Sequence, residues 1–231
     1  MAKPVFWVWR TVKGLFWKCR WGWVRLTAPY DRNIDIDRVY WISPQRIVYS
    51  ALQEFNIRDF KGRVIGGDWD RLEKRFCDLD IYRAFADVCV KGRPWTETFF
   101  YQNALEELAA GQVLWGCRTR EEFDRRCEQL EDLFDVIRRE GYKSQAELMQ
   151  ARRTYNPMQA DEEVIVSIGR RGDLLFSDGA HRLAIANLLE IPRIPVKIAV
   201  RHPGWVETGG EREWMERIEL EDAGVEGRND E

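Results

Sequence analysis

Histidine is almost absent from this chain of 231 residues: there are two, His181 and His202. The five cysteines, Cys19, Cys77, Cys89, Cys117 and Cys127, are odd in number and widely spaced, with no C-x-x-C and no Cys/His cluster. That spacing excludes both a zinc site and a disulfide framework, and it predicts a reducing compartment with most thiols in the core. No apolar run approaches the roughly 20 residues of a membrane span. The N-terminal stretch is broken by charge and lacks a small-residue cleavage site, so it does not read as a secretory leader. Internal repeats and linkers are also missing. What is present, 45% hydrophobic and 32% charged residues, describes a globular chain, not a disordered one.

The net charge of -3 hides a division. Residues 1–30 carry Lys3, Arg10, Lys13, Lys18, Arg20 and Arg25 and no acid, so the remaining 201 residues sum to -9. An acidic body argues against general nucleic-acid binding, which makes nucleic acid the lesser candidate partner. The same thirty residues hold five of the eleven tryptophans. At helical spacing, Val5, Val8, Trp9, Val12, Leu15, Phe16, Cys19, Trp23 and Leu26 share one arc, with the basic residues opposite. This is the pattern of an amphipathic helix at a membrane interface, and equally of one packed on a partner protein or on the body of the chain. Gly14 and Gly22 weaken it, and Pro29 ends it.

Strand character begins at Val39–Pro44, with a turn from Gln45. Arg63-Val64-Ile65 forms a second apolar strand running into Gly66-Gly67-Asp68-Trp69-Asp70. Glycines permit a sharp turn or a close approach to a ligand, and carboxylates at i and i+2 suit a hard cation such as Mg²⁺. The plainer role for Asp70 is N-cap of a helix starting at Arg71. From Arg71 to Arg153 the pattern is helical throughout, with a capping box at Thr119 and Glu122. Strand pattern returns over Asp161–Ser167, followed by a hairpin turn at Gly169–Gly172 and strand residues Leu174–Phe176. The segment closes with a helix over Leu183–Leu189 and a strand over Val196–Val200. Beyond Pro203 the composition turns acidic; Glu207–Glu231 holds one weak apolar set, Trp214, Ile218 and Leu220, and otherwise reads as a tail.

The chemistry concentrates in Ser177-Asp178-Gly179-Ala180-His181-Arg182, a carboxylate, a glycine, an imidazole and a guanidinium at a helix N-terminus. Unpaired backbone N–H groups and the positive dipole end make such a turn an anion site, most often for phosphate. The structural roles open to the same residues are an N-cap for Asp178, an ion pair for Arg182 and a packed core imidazole for His181. His202, beside Arg201 at a strand end, reads as a structural or rim residue.

Val164-Ile165-Val166, Gly172-Asp173-Leu174-Leu175, Asp178-Gly179-Ala180-His181-Arg182 and Ile194-Pro195-Val196 together resemble the ParB/sulfiredoxin superfamily. The likeness covers about residues 161–202, and a weaker one begins at Trp41-Ile42-Ser43-Pro44-Gln45-Arg46-Ile47. It implies an α+β fold: a small mixed-sheet core over residues 31–205, with strands within about 39–70 and 161–202. A helical insertion would occupy 71–153, the amphipathic segment 1–30 and the acidic tail 206–231. Ala180 stands where sulfiredoxins have their catalytic cysteine, which excludes that chemistry, and the partition proteins' arginine-rich second box is missing. The D-G-x-H-R form resembles the free-serine-kinase-type members most.

The resemblance therefore implies an ATP-dependent phosphotransferase acting on a small or lipid-linked hydroxyl acceptor, cytoplasmic or peripheral at the inner face of a membrane. Gly179, Ala180, His181 and Arg182 would hold the nucleotide phosphates, and Asp68 and Asp70 would hold Mg²⁺ as the opposite wall of the site. Asp178, His181 and Asp68 would do the chemistry. The alternatives are a metal-dependent nuclease using the same acids and a non-catalytic nucleotide-binding scaffold.

Overall fold

A computed structural model of the chain describes residue 29 and residues 36–51, 57–152, 163–210, 213 and 214. The basic, tryptophan-rich segment 1–30 lies, Pro29 apart, outside the described residues. The strands are β1 (Tyr40–Ile42), β2 (Tyr49–Ser50), β3 (Arg63–Val64), β4 (Val164–Ile168), β5 (Leu174–Asp178) and β6 (Ile194–Arg201). The helices are α1 (Asp80–Phe85), α2 (Phe99–Ala109), α3 (Arg120–Glu140), α4 (Gln145–Arg152), α5 (Ala180–Leu188) and α6 (Pro203–Glu207). The six strands form one mixed sheet in the order β1-β6-β4-β5-β2, with β3 also on β6, so the α+β class holds.

All eight residues of β6 are buried, which explains its almost unbroken apolar sequence. On one edge it pairs with β1 at Ile194–Val196 and with β3 at Val200–Arg201; on the other it runs parallel to β4. β4 and β5 form an antiparallel hairpin, and β2 adds to β5 in parallel. Val164, Val166 and Ile168 face a large core shared with the helices. The intervening Ile165 faces a smaller cluster with Phe60, Ile65, Trp69 and Leu175, as the period of two requires.

Of the helices between β3 and β4, α1, α2 and α3 put their buried apolar residues into that same core. α3 begins with the expected capping box: the Thr119 hydroxyl accepts from the Glu122 N–H, and the Glu122 carboxylate accepts from the Thr119 N–H. Its stripe of Phe123, Cys127, Leu130, Phe134 and Ile137 is buried. Gly141, with φ of 80°, ends it.

Two local expectations are corrected. No helix starts at Arg71, so Asp70 is not an N-cap; helix appears at Asp80. Residues 71–75 run beside β2 instead: the Ser50 N–H donates to the Lys74 carbonyl at 2.9 Å, and the Phe76 N–H to that of Val48 at 2.8 Å. Leu72 and Phe76, which share a helical stripe on paper, belong to different cores, the smaller and the larger. Tertiary pairing overrides the local period. At the other end the weak apolar set contributes a core residue. Trp205 and Trp214 are buried, the latter edge-on to Tyr40 at 5.2 Å between centroids. His202 caps α6 by accepting from the Gly204 N–H through Nδ1, the structural role its position suggested.

Among the described residues, Cys117 and Cys127 are buried, Cys89 is partly buried and Cys77 is exposed, all as free thiols. No helix among them is long and apolar enough to cross a membrane.

Candidate functional site

The turn after β5 is built around one glycine. Gly179 has φ of 87°, and a Cβ there would sit 3.1 Å from the Val164 Cα. Both the left-handed backbone and the tight approach to β4 require glycine. Asp178 is the last residue of β5, and its carboxylate accepts from the Gly179 N–H at 2.7 Å. It does not cap α5, whose first turn carries no side-chain cap. The N–H groups at the start of α5 are thus left without a side-chain acceptor.

That turn opens onto a pocket of about 500 Å³ bounded by Phe100, Trp115 and Phe123 on one side and by Ser177 to His181 on the other. Lys74, Asp80 and Glu107 also line it. Trp115 has φ of 49°, a left-handed conformation unusual for a bulky residue. It remains 42% exposed, stacked on Phe100 with centroids 5.1 Å apart. An exposed, strained tryptophan at a pocket mouth is the sort of residue retained for binding.

His181 is packed edge-on against Trp115, 4.4 Å between centroids, and against Phe85 at 6.2 Å. Burial, with a contribution from the nearby Arg126 charge, pushes its imidazole down to about 4, against the opposing pull of Asp178. It is neutral at pH 7 and brings no positive charge to a phosphate.

Arg182 faces away from this pocket. Its guanidinium pairs with Glu163 at 3.1 Å, donates to the Lys143 carbonyl at 2.8 Å and lies over the Tyr142 ring at 4.7 Å. Burial raises the Glu163 carboxyl, against the pull of Arg182. Arg182 thus takes the ion-pair role rather than that of a phosphate ligand in the Phe100–Trp115 pocket.

Asp68 and Asp70 do not meet Asp178. Asp70 accepts from the Arg170 backbone N–H at 2.7 Å, from Nε at 2.9 Å and from Nη2 at 2.7 Å. The same guanidinium reaches the Asp68 carboxylate at 3.0 Å and the Gly67 carbonyl at 2.7 Å. Arg170 lies in the β4–β5 hairpin turn, whereas Asp178 ends β5. The two sites stand at opposite ends of a five-residue strand, about 15 Å apart at the usual rise. A guanidinium also occupies the place between the carboxylates where a cation would sit. Among the described residues no three or more His, Cys, Asp or Glu side chains are grouped to hold a metal ion.

Sequence reasoning singled out Asp178, Gly179, Ala180 and His181, which do gather at one pocket. It missed Trp115, Phe100, Lys74 and Arg170. Trp115 had one local signal, a tryptophan followed by glycine between two helical stretches, off either apolar stripe. Arg170 had none, because its partners lie a hundred residues earlier.

No family model matches the chain, and no curated protein or solved structure does either.

Proposed function

We propose that the pocket between the Asp178–His181 turn and the Phe100–Trp115 pair binds a nucleoside triphosphate such as ATP. The protein is then a nucleotide-dependent phosphotransferase with a ParB/sulfiredoxin-like core and a helical insertion, acting on a hydroxyl acceptor. One observation carries the reading: a helix N-terminus free of side-chain caps and an exposed aromatic platform open into the same pocket. A base stacks on aromatic faces without need of a specific edge, and phosphates suit the start of a helix. The strand–hairpin–strand–turn–helix–strand order of residues 164–201 is the order the resemblance implies.

The roles follow from the geometry. The N–H groups of Ala180 and its neighbours and the exposed Lys74 ammonium bind phosphate oxygens. Asp178 orients the acceptor hydroxyl and takes its proton as the O–P bond forms and the nucleoside diphosphate leaves. His181, neutral and walled in by aromatics, positions the turn and does not act as a charge. Mg²⁺ does not fit between Asp68 and Asp70. In the pocket, Asp80 offers a carboxylate of the kind that Mg²⁺ takes alongside a nucleotide's own phosphates. The ion's contribution would be neutralising phosphate charge.

Thermal unfolding with ATP, with and without Mg²⁺, tests this. Saturable stabilisation, lost in Trp115→Ala, is expected. Asp178→Asn should keep nucleotide binding and lose transfer by about 10²-fold or more. No stabilisation by any nucleoside triphosphate overturns the reading, and Mg²⁺-dependent cleavage of DNA or RNA replaces it with a nuclease.

A further inference from the structure

Behind the same turn, between α3 and α4, lies a second cavity of about 580 Å³. Asp178, Gly179 and His181 line both cavities, so the turn is a partition between them. Among the described residues, three polar atoms on residues lining this second cavity are buried without a hydrogen-bond partner: Gln145 Oε1, Arg126 Nε and His181 Nε2. Gln145 is only 6% exposed, and its backbone N–H is already used, donating to Glu163 Oε1 at 2.6 Å. Among the described residues nothing satisfies its side-chain carbonyl. Folded proteins leave few such atoms, and an unmet buried acceptor carries its full desolvation penalty. Three around a single cavity are the counterpart of a missing polar guest.

The charges around the cavity narrow what that guest is. Arg182 is paired with Glu163 and Lys143 with Glu140. Among the described residues Arg126 makes no ion pair; its Nη1 donates to the neutral Gln129 side chain at 3.3 Å. Among the described residues, the site therefore presents one cation without a counter-ion, one buried acceptor and one uncharged imidazole beside an apolar wall of α3. We propose that this cavity binds a small organic anion that also carries a hydroxyl group, the anion at Arg126 and the hydroxyl donating to Gln145 Oε1. Binding there stands without the nucleotide reading; only the cavity's use as the acceptor site, across the turn from the phosphates, rests on it.

The anion has two sources, a carboxylate or a phosphate monoester, and glycerate and glycerol 3-phosphate represent them. Titration of each into the full-length protein without nucleotide, by calorimetry and by thermal unfolding, is the test. Saturable binding by at least one of them is expected, with glycerol, lacking the anion, and acetate, lacking the hydroxyl, at least about tenfold weaker. Gln145→Met and Arg126→Gln should each raise the Kd about tenfold or more. Without ligand, Gln145→Met should melt at or above the parent temperature, because it removes an unsatisfied buried acceptor; this separates lost binding from lost folding. Trp115→Ala should leave this binding in place while abolishing the response to ATP, so the two sites fail separately. No binding by either anion leaves water as the partner of these atoms and overturns the proposal. So does equal binding by glycerol or acetate, or binding unchanged in both variants.

Discussion

Replacing Arg170 with methionine removes the side chain that holds the loop 66–70 onto the β4–β5 hairpin. The Asp70 side chain is only 2% exposed, and four of its hydrogen bonds come from Arg170. In Arg170→Met the backbone N–H remains, but the buried carboxylate loses its counter-charge. Stranding one partner of a buried pair costs about 3–5 kcal/mol. The guanidinium here is 44% exposed, so water replaces part of what is lost and the exposed part of the pair is worth little. The expected loss is therefore about 2–3 kcal/mol at pH 7, which for a chain of this size lowers Tm by about 5–10 °C.

The pH dependence gives the reasoning a second handle. Burial raises the Asp70 carboxyl, but the side-chain and backbone hydrogen bonds from Arg170 outweigh it, and the group sits below its ordinary value of 3.8. A carboxyl depressed in the folded state contributes stability above its unfolded pKa and loses it as pH falls through the folded one. In Arg170→Met burial prevails and the pKa moves up, so the contribution of Asp70 changes sign: it destabilises as pH rises through about 4. The gap between parent and variant should be widest at pH 7 and narrow toward pH 3.5, where the variant's Asp70 is protonated and the carboxylate no longer stands unpaired. Adding Asp70→Asn to the variant should recover about 1 kcal/mol or more. Urea unfolding of the parent, Asp70→Asn, Arg170→Met and the double variant at both pH values measures this. A loss under about 0.5 kcal/mol at pH 7, or one of equal size at both pH values, refutes the ion-pair account.

Three further outcomes are expected. Gly179→Ala, which places a Cβ 3.1 Å from the Val164 Cα at a positive φ, should cost about 2 kcal/mol in urea unfolding; a neutral effect would mean the turn is not held against β4. Thr119→Ala removes one half of the capping box of α3 and should cost about 1 kcal/mol, measured the same way. Burial holds the Cys89 and Cys127 thiols up at about 12, so at pH 8 iodoacetamide should modify the exposed Cys77 first. Mass spectrometry of timed aliquots reads this, and modification of Cys127 at the rate of Cys77 contradicts the burial.

Where the chain's own local rules suffice, reading and structure coincide. The stripe Phe123, Cys127, Leu130, Phe134 and Ile137, with Thr119 and Glu122 ahead of it, is a helix because its apolar spacing and its cap agree. The β4–β5 hairpin and the buried β6 are legible for the same reason, since alternation, turn glycines and an apolar run are all local. Residues 71–79 misled because Leu72 and Phe76 sit four apart yet serve different cores. The site divides in the same way. Asp178, Gly179, Ala180 and His181 are consecutive, so their sharing one turn needed no tertiary knowledge.

The sequence by itself thus determined the elements, the glycine turn and the concentration of polar chemistry at Asp178–Arg182. Only the tertiary structure decided what those groups face. It turned Arg182 toward Glu163, brought Trp115 edge-on to His181 and joined Arg170 to Asp70 across a hundred residues. The physical reason is range. Capping and periodicity act within about four residues and leave their mark in sequence order. A charge pair, an aromatic wall or an unsatisfied carbonyl beside a cavity depends on which distant segments the core packing brings together.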